Sequence, residues 1–436
     1  MQAGGLPSRK VRRFLCGKKG KAVSFLWLKL GGTCDYNKKN EKRGNVIMNQ
    51  LSQELQSLLE RAVAGGEVAG ANLLVLQNGQ EAAYAQAGWA DIAAGRPYSR
   101  DTIFRLYSMT KPITAAAAML LMERGILDLG QPVGDILPAF RDMQVWEDGK
   151  KVPARCDILV RDLLSMTSGL AYPGGDGAWK EAAGVFEEID RELYGPKPLT
   201  TMEVAERLGG CGLAFHPGDQ WMYGTSADVL GAVIEALSGM KFGQFLQKEL
   251  FGPLGMMETG FYVPREKRGR LAEIYERTDK GVRRYETNHL GIRYTMDTAP
   301  AFESGGAGLV STLDDYAKFA QMLMNGGSYG GRQLLRPQTV QYMTTGRLLP
   351  WQQESLWRTW GSMAGYGYGN LMRIMEEPGM ALFNTWKGEY GWDGWLGAYF
   401  CNSPENGVTI LMSCQRRDAG TMVLTRKMRN VVAAYI

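Results

Sequence analysis

Ser108 stands three residues before Lys111 in Tyr107-Ser108-Met109-Thr110-Lys111-Pro112, where a short β-like segment, 102–106, gives way to the apolar tract 115–122. On the first turn of a helix, positions i and i+3 share a face, so Lys111 can reach the Ser108 hydroxyl from the side. A neutral amine placed there accepts the hydroxyl proton and makes the serine a nucleophile. The helix N-terminus also favours the negative charge that develops on that oxygen.

Two other serines compete for this reading. Ser238-Gly239-Met240-Lys241 repeats the spacing, but it falls where an expected helix, 226–238, stops at Gly239, and it reads as a helix C-cap. Gly326-Gly327-Ser328-Tyr329-Gly330 matches the G-x-S-x-G pentapeptide, which requires a strand before it and a helix after. Here a helix precedes, so a glycine-rich turn is expected. The chain has two histidines, His216 and His289, and Phe215-His216-Pro217-Gly218 reads as a turn. With no His-Glu-x-x-His and no Cys/His cluster, neither a metal nor a cofactor is expected.

The elements that must position Ser108 follow from periodicity. Residues 49–63 read as an amphipathic helix with Leu51, Leu55, Leu58 and Leu59 on one face. Residues 71–76 and 81–87 flank Asn78-Gly79 as a hairpin. From about 157 to 324 the pattern is mostly helical, at 161–166, 202–208, 226–238, 242–250 and 313–324. Segments 366–375, 381–386, 396–402 and 408–414 then read as strands, and 421–434 as a closing helix. This order predicts one sheet built from both ends of the chain with a helical lobe inserted: an α/β domain over 48–125 and 346–436, and a mostly helical domain over 126–345.

Charge separates a leader from the body. Residues 1–47 hold twelve Lys/Arg and two acids, so the rest of the chain is net negative by five although the whole is +5. A nucleic-acid partner is not implied by such a body. Residues 1–47 read as a basic, disordered extension, with Met48 an alternative start. A basic start before the apolar run 22–28 also fits a secretory leader, although no small-residue cleavage site follows. That run is too short to span a bilayer, and no membrane span is expected elsewhere. Six cysteines without a Cys-x-x-Cys pair read as the reduced thiols of a cytoplasmic protein.

Three ordered stretches now carry a resemblance. Tyr107-Ser108-Met109-Thr110-Lys111-Pro112, then Phe215-His216-Pro217-Gly218-Asp219-Gln220-Trp221-Met222-Tyr223, then Tyr390-Gly391-Trp392-Asp393-Gly394 are similar to the motifs of serine hydrolases related to class C β-lactamases. The chain most resembles the branch called family VIII carboxylesterases, from about residue 50 to the C-terminus. Supporting stretches are 226–231 and 304–312. The resemblance implies a β-lactamase/DD-peptidase-like fold of the α+β type, an antiparallel sheet flanked by N- and C-terminal helices with an inserted helical lobe.

By position, the resemblance makes Ser108 the acylated nucleophile, Lys111 its activating partner and Tyr223 the proton relay. The backbone N–H groups of Ser108 and Trp395 would form the oxyanion hole, the latter carried by an edge strand, with Gly394 letting an acyl group approach closely. A desolvated lysine has a lowered pKa and a phenol beside a cation has its own lowered, so Lys111 and Tyr223 are expected to titrate as a coupled pair. Tyr368-Gly369-Asn370 is a rival match to the lactamase Y-x-N pattern, discounted because it lies in an expected strand. Trp392 replaces the lysine that attracts a lactam carboxylate, and Thr225 replaces an asparagine. Both changes favour neutral esters. Tyr172, Trp221, Trp392 and Trp395 are candidates for an aromatic wall, while Asp393 either faces solvent or repels anionic substrates. The expected activity is hydrolysis of small, neutral, short-chain esters. The alternatives are a lactamase-type amide hydrolase, an acyltransferase, and a sensor acylated once without turnover.

Overall fold

The computed structural model describes residues 33–420 and 422–436, with side chains from Met48 onward. Helix α1 runs Thr33–Ala64, beginning upstream of the expected 49. Residues 1–32 of the expected disordered extension lie outside the described residues, whereas 33–47 are helical, as the first part of α1.

The hairpin forms as its turn residues dictate. Strands β1 (Gly70–Gln77) and β2 (Gln80–Asp91) meet through Asn78 and Gly79, both with positive φ, at 49° and 75°. This is the paired left-handed turn that matches strand twist. Six further strands complete the sheet: β3 (Arg96–Pro97), β4 (Tyr366–Gly369), β5 (Met372–Met375), β6 (Tyr390–Asp393), β7 (Tyr399–Ser403) and β8 (Val408–Cys414). The spatial order is β4-β5-β6-β7-β8-β1-β2-β3, and all its pairings are antiparallel. Strands from both ends of the chain thus share one sheet, the two blocks meeting where β1 pairs with β8.

The sheet is covered on both faces, and the period-2 alternation shows which residue serves which face. Leu73, Val75, Ile410 and Met412 pack with Leu51, Leu55 and Leu59 of α1 and with Met428 and Val432 of the closing helix, Val423–Tyr435. Their neighbours Leu74, Leu76 and Leu411 face the opposite core, where the helical lobe lies. Within that lobe α2 (Thr110–Glu123) is buried almost throughout, Ala115–Ala118 allowing close approach, and it packs against α3 (Ser226–Ser238). The antiparallel sheet with an inserted helical lobe, read from the sequence, is present.

Two strand expectations need correction. Segment 366–375 is not one strand but the β4–β5 hairpin, turned by Asn370 and Leu371 at φ 49° and 61°. Segment 381–386 is irregular, and the strand lies at Tyr390–Asp393 instead. That strand is not an edge either, because β5 and β7 flank it. The β5 pairing is short, however, with only Arg373 and Ile374 matched to Gly391 and Tyr390. A helix at Ala178–Glu192, absent from the sequence reading, closes the lobe.

Among the described residues no single helix is long and apolar enough to cross a membrane. A bent pair, Ser226–Ser238 with Phe242–Leu254, passes by composition, but Val229, Val233, Phe245 and Leu250 from it are core residues.

Candidate active site

The short strand Phe104–Arg105 pairs with Val310–Ser311 and delivers the chain to a single 3₁₀ turn, Tyr107–Met109, that runs directly into α2. Tyr107 sits at φ 44°, a left-handed conformation costly for a bulky side chain and characteristic of strained functional sites. Its consequence is that Ser108 projects, half-buried, at the head of α2, with Lys111 one turn on.

Lys111 is fully buried. Its Nζ lies 3.3 Å from Ser108 Oγ, 3.1 Å from Tyr172 Oη and 2.8 Å from the Gly306 carbonyl, all three acting as acceptors of its protons. Burial pulls the amine down to about 7, against the opposing pull of the Asp228 carboxylate. At neutral pH roughly half of such amines are unprotonated, against about one in three thousand for a free lysine. The geometry therefore offers a base within reach of a serine hydroxyl.

The loop carrying Gly306 is held from behind. Asp228, on the first turn of α3, accepts from Ser304 Oγ at 2.5 Å and from Gly306 N–H at 3.0 Å, and Thr114 Oγ1 donates to the Gly305 carbonyl at 2.6 Å. A Cβ at Gly306 would lie 2.8 Å from the Asp228 carboxylate and 3.0 Å from Tyr172 Oη. Only glycine lets its carbonyl reach Lys111. Neither Asp228 nor Gly306 had been singled out in the sequence, although both lie in stretches that carried the resemblance.

Tyr223 approaches from the other side. The Lys111 Nζ sits 4.6 Å above the centre of its ring, a cation–π contact when the amine is protonated. The phenol interacts with the Ser108 hydroxyl and accepts from Trp392 Nε1 at 3.2 Å. Contrary to the expected lowering, burial raises this phenol above the usual tyrosine range, outweighing the Ser108 and Trp392 contacts that lower it. The amine faces the ring rather than the oxygen, so it stabilises a phenolate poorly. Tyr172, expected only as wall, makes the direct hydrogen bond to the amine, and burial raises its phenol well above the usual range too.

The remaining expected residues divide. Trp221 and Trp392 are nearly fully buried, and form an aromatic cluster behind Tyr223 together with Trp360 and Tyr368. Thr225 is completely enclosed, its hydroxyl without a partner. Asp393 does neither of the things expected of it: alternation turns it to the sheet face opposite Trp392, where it accepts from buried Arg373 at 2.6 Å. Gly394 is required by the Leu106 carbonyl, 2.2 Å from where a Cβ would stand. The backbone N–H of Trp395 makes no hydrogen bond among the described residues, while its indole N–H donates to Asp418 at 2.7 Å and its ring lies against Tyr107 at 5.0 Å and stacks on His289 at 4.0 Å.

The alternative sites resolve as turns. Ser238 caps a helix that ends at Gly239 with φ 67°. Ser328 bonds Gln333 in a small hairpin. His216 is clamped between Glu147, at 2.7 Å, and the Arg155 N–H. Tyr368-Gly369-Asn370 leads into the β4–β5 turn, where Asn370 donates to the Tyr342 and Met343 carbonyls. A cleft of about 500 Å3 beside Phe251, Phe261 and Pro300 contains none of the residues around Ser108.

Known proteins resemble the chain over most of its length. The chain is 32% identical over 368 residues to an uncharacterised protein of Mycobacterium tuberculosis, spanning 83% of this chain and 89% of that one. It is 28% identical over 374 residues to Esterase EstB of Burkholderia gladioli, covering 83% and 90% respectively, which bears out the resemblance drawn from the motifs. The solved structure of EstCE1, a hydrolase with promiscuous acyltransferase activity, superposes with a TM-score of 0.73 at 25% identity, over 90% of this chain and all of that one. The family model described as Beta-lactamase matches residues 55–434, almost the whole described body, and the chain accordingly belongs to the beta-lactamase family of serine hydrolases.

Proposed function

We propose that the protein is a serine esterase that cleaves neutral, short-chain carboxylic esters through an acyl-enzyme on Ser108. The observation that carries this reading is the fully buried Lys111 amine, drawn down to about 7 and 3.3 Å from the Ser108 hydroxyl. Neutral Lys111 takes the Ser108 proton as Oγ bonds to the ester carbonyl carbon. The oxyanion that forms is met by the N–H groups of Ser108 and Trp395. Tyr223, protonated at neutral pH and in contact with the Ser108 hydroxyl, relays to the departing alkoxide the proton that Ser108 gave up to Lys111, so that as the carbon–oxygen bond breaks both groups end as they began. Water then repeats the sequence on the acyl-enzyme and releases the acid.

The surroundings favour neutral, small substrates. Trp392 offers an indole where a carboxylate would need a cation, and Asp393 is engaged by Arg373 on the far face. The close-packed rings behind Tyr223 leave short acyl groups as the better fit. The similarity to EstB supports hydrolysis, whereas that to EstCE1 favours a second reading, transfer of the acyl group to an alcohol, on the same machinery. Steady-state release of p-nitrophenol from p-nitrophenyl acetate, with and without an added alcohol, tests both. Sustained turnover abolished by Ser108→Ala and kept by Ser328→Ala is expected. A single burst without turnover would exclude either reading, and ester product formed in alcohol would establish transfer.

A further inference from the structure

The rings around Tyr223 differ in the surface they leave for a substrate. Trp221, Trp392 and Tyr368 are each no more than 2% exposed, so they form the floor of the cluster. Trp360 is only partly buried. Its ring stands edge-on to Tyr223 at 5.3 Å and to Trp392 at 5.9 Å, and lies 6.0 Å from Trp221. Tyr172 also keeps some exposed surface beside Tyr223, but its hydroxyl is bound to the Lys111 amine, which places it on the base side of the site.

Trp360 is fixed to the segment that carries Tyr223. It ends the helix Pro350–Thr359, where its N–H donates to the Leu356 carbonyl at 2.9 Å and its own carbonyl accepts from the Met363 N–H at 2.8 Å. That helix is pinned to the loop leading to Tyr223, through Gln352 to the Gly218 carbonyl at 2.6 Å and through Ser355 to the Trp221 carbonyl at 3.2 Å. Trp357 Nε1 also ties it to the Tyr366 carbonyl at 2.8 Å. A ring held in this way loses little further freedom when a ligand packs on it.

Which part of a substrate meets Trp360 follows from what Tyr223 does. In the proposed reaction the Tyr223 hydroxyl passes a proton to the departing alkoxide, so the alkoxy oxygen of the ester must come within hydrogen-bond reach of it. The group attached to that oxygen is then the part of the substrate nearest the rings packed on Tyr223, and of these Trp360 has surface to offer. The acyl carbon is held at Ser108 Oγ, beside Trp395, whose ring belongs to a separate aromatic group with Tyr107, Tyr285 and His289. We propose that Trp360 is a specificity-determining residue for the alcohol portion of the ester, selecting a flat aromatic group over a small alkyl one by packing against it. An aromatic ring seated on the indole adds an edge-to-face or offset-stacked contact to the area it buries, whereas an ethyl group leaves most of the indole uncovered. This role rests on the proposed esterase reaction, and an alcohol that accepts the acyl group would meet the same ring.

Two pairs of substrates test the role on the full chain. One pair is benzyl acetate and ethyl acetate, whose alcohols are of similar acidity, and the other is p-nitrophenyl acetate and p-nitrophenyl butyrate, which differ only in the acyl group. In the parent protein kcat/KM is expected to favour benzyl over ethyl acetate. Trp360→Ala lowers that preference about tenfold, and Trp360→Phe keeps most of it. The butyrate-to-acetate ratio stays where it was in both variants. Any general weakening of Tyr223 by the lost contact slows both acetates alike and cancels in their ratio, and circular dichroism checks that each variant is folded. A benzyl-to-ethyl ratio unchanged in Trp360→Ala, or an acyl ratio that moves more than the alcohol ratio, would overturn the role given to Trp360. The acetyl adduct on the peptide containing Ser108 separates the two ways of failing. Its presence in Trp360→Ala with an unchanged ratio faults Trp360 alone, and its absence from the parent protein overturns the esterase reaction and the role of Trp360 with it.

Discussion

Replacing Asp228 by asparagine removes one negative charge from behind Lys111 while keeping the shape of the side chain and an oxygen for Ser304 and Gly306 to bond. Asp228 accepts from the Gly306 N–H at 3.0 Å, and the Gly306 carbonyl accepts from Lys111 Nζ at 2.8 Å, so a single residue separates carboxylate from amine. At a separation of roughly 6 Å and an effective dielectric of ~20, the two charges interact by about 3 kcal/mol, or about two pH units in the amine's titration. The carboxylate favours the charged lysine, as the direction of its effect on Lys111 states. Without it the amine loses its proton at lower pH. In the proposed mechanism kcat/KM depends on the neutral amine, so its rising limb lies at about pH 7 in the parent protein and at about pH 5 in Asp228→Asn. Hydrolysis of p-nitrophenyl acetate, measured as kcat/KM across that range with folding verified at each pH, reads the shift. A limb that stays in place, or moves to higher pH, refutes the assignment of Lys111 as the titrating base.

Further outcomes follow from the same contacts. Tyr172→Phe deletes the hydroxyl 3.1 Å from Lys111 Nζ, and kcat is expected to fall about 10- to 100-fold with KM little changed, whereas an unaltered kcat would reduce Tyr172 to packing. Arg373→Met removes the cation from beside the buried Asp393 carboxylate and should destabilise the fold by about 3–5 kcal/mol in urea denaturation. Removing both charges in Arg373→Met/Asp393→Leu should recover more than half of that loss. Stability also carries the signature of Lys111. Its folded value of about 7 lies below the 10.5 of the unfolded chain, so the unfolded state binds more protons between these limits and stability rises as pH climbs through them. Lys111→Met should flatten that rise, seen by comparing urea midpoints near neutral and mildly alkaline pH.

What could be read from the sequence was local. Ser108 and Lys111 share one helical turn, so their meeting depends only on the helix beginning where the apolar tract predicts it. The Asn78-Gly79 turn likewise needs nothing beyond its own two residues. Tyr172 and Gly306 reach Lys111 across 61 and 195 residues of chain, and no periodicity encodes such a contact. Asp393 stayed ambiguous because its face is fixed by the register of β5 against β6, which brings Arg373 beside Gly391. The misplaced strand has a physical cause as well. Leu382, Phe383 and Trp386 give segment 381–386 the apolar and aromatic content of a strand, yet Phe383 and Trp386 pack as partly buried loop residues. The actual strand contains Gly391, a poor strand former, because a Cβ there would stand 2.0 Å from the Phe400 carbonyl. Tyr223 was found by its motif, but the direction of its phenol's shift was not, since that is set by burial, which outweighs the contacts that lower it.

The central claim is that Ser108 is acylated with Lys111 as its base, and one measurement addresses it directly. The protein is incubated with p-nitrophenyl acetate, quenched in acid within the first turnover, digested and weighed by mass spectrometry. An acetyl adduct on the peptide containing Ser108, absent from Ser108→Ala and strongly reduced in Lys111→Met, is the expected result. An adduct on another residue, or turnover that persists in Ser108→Ala, would contradict the account.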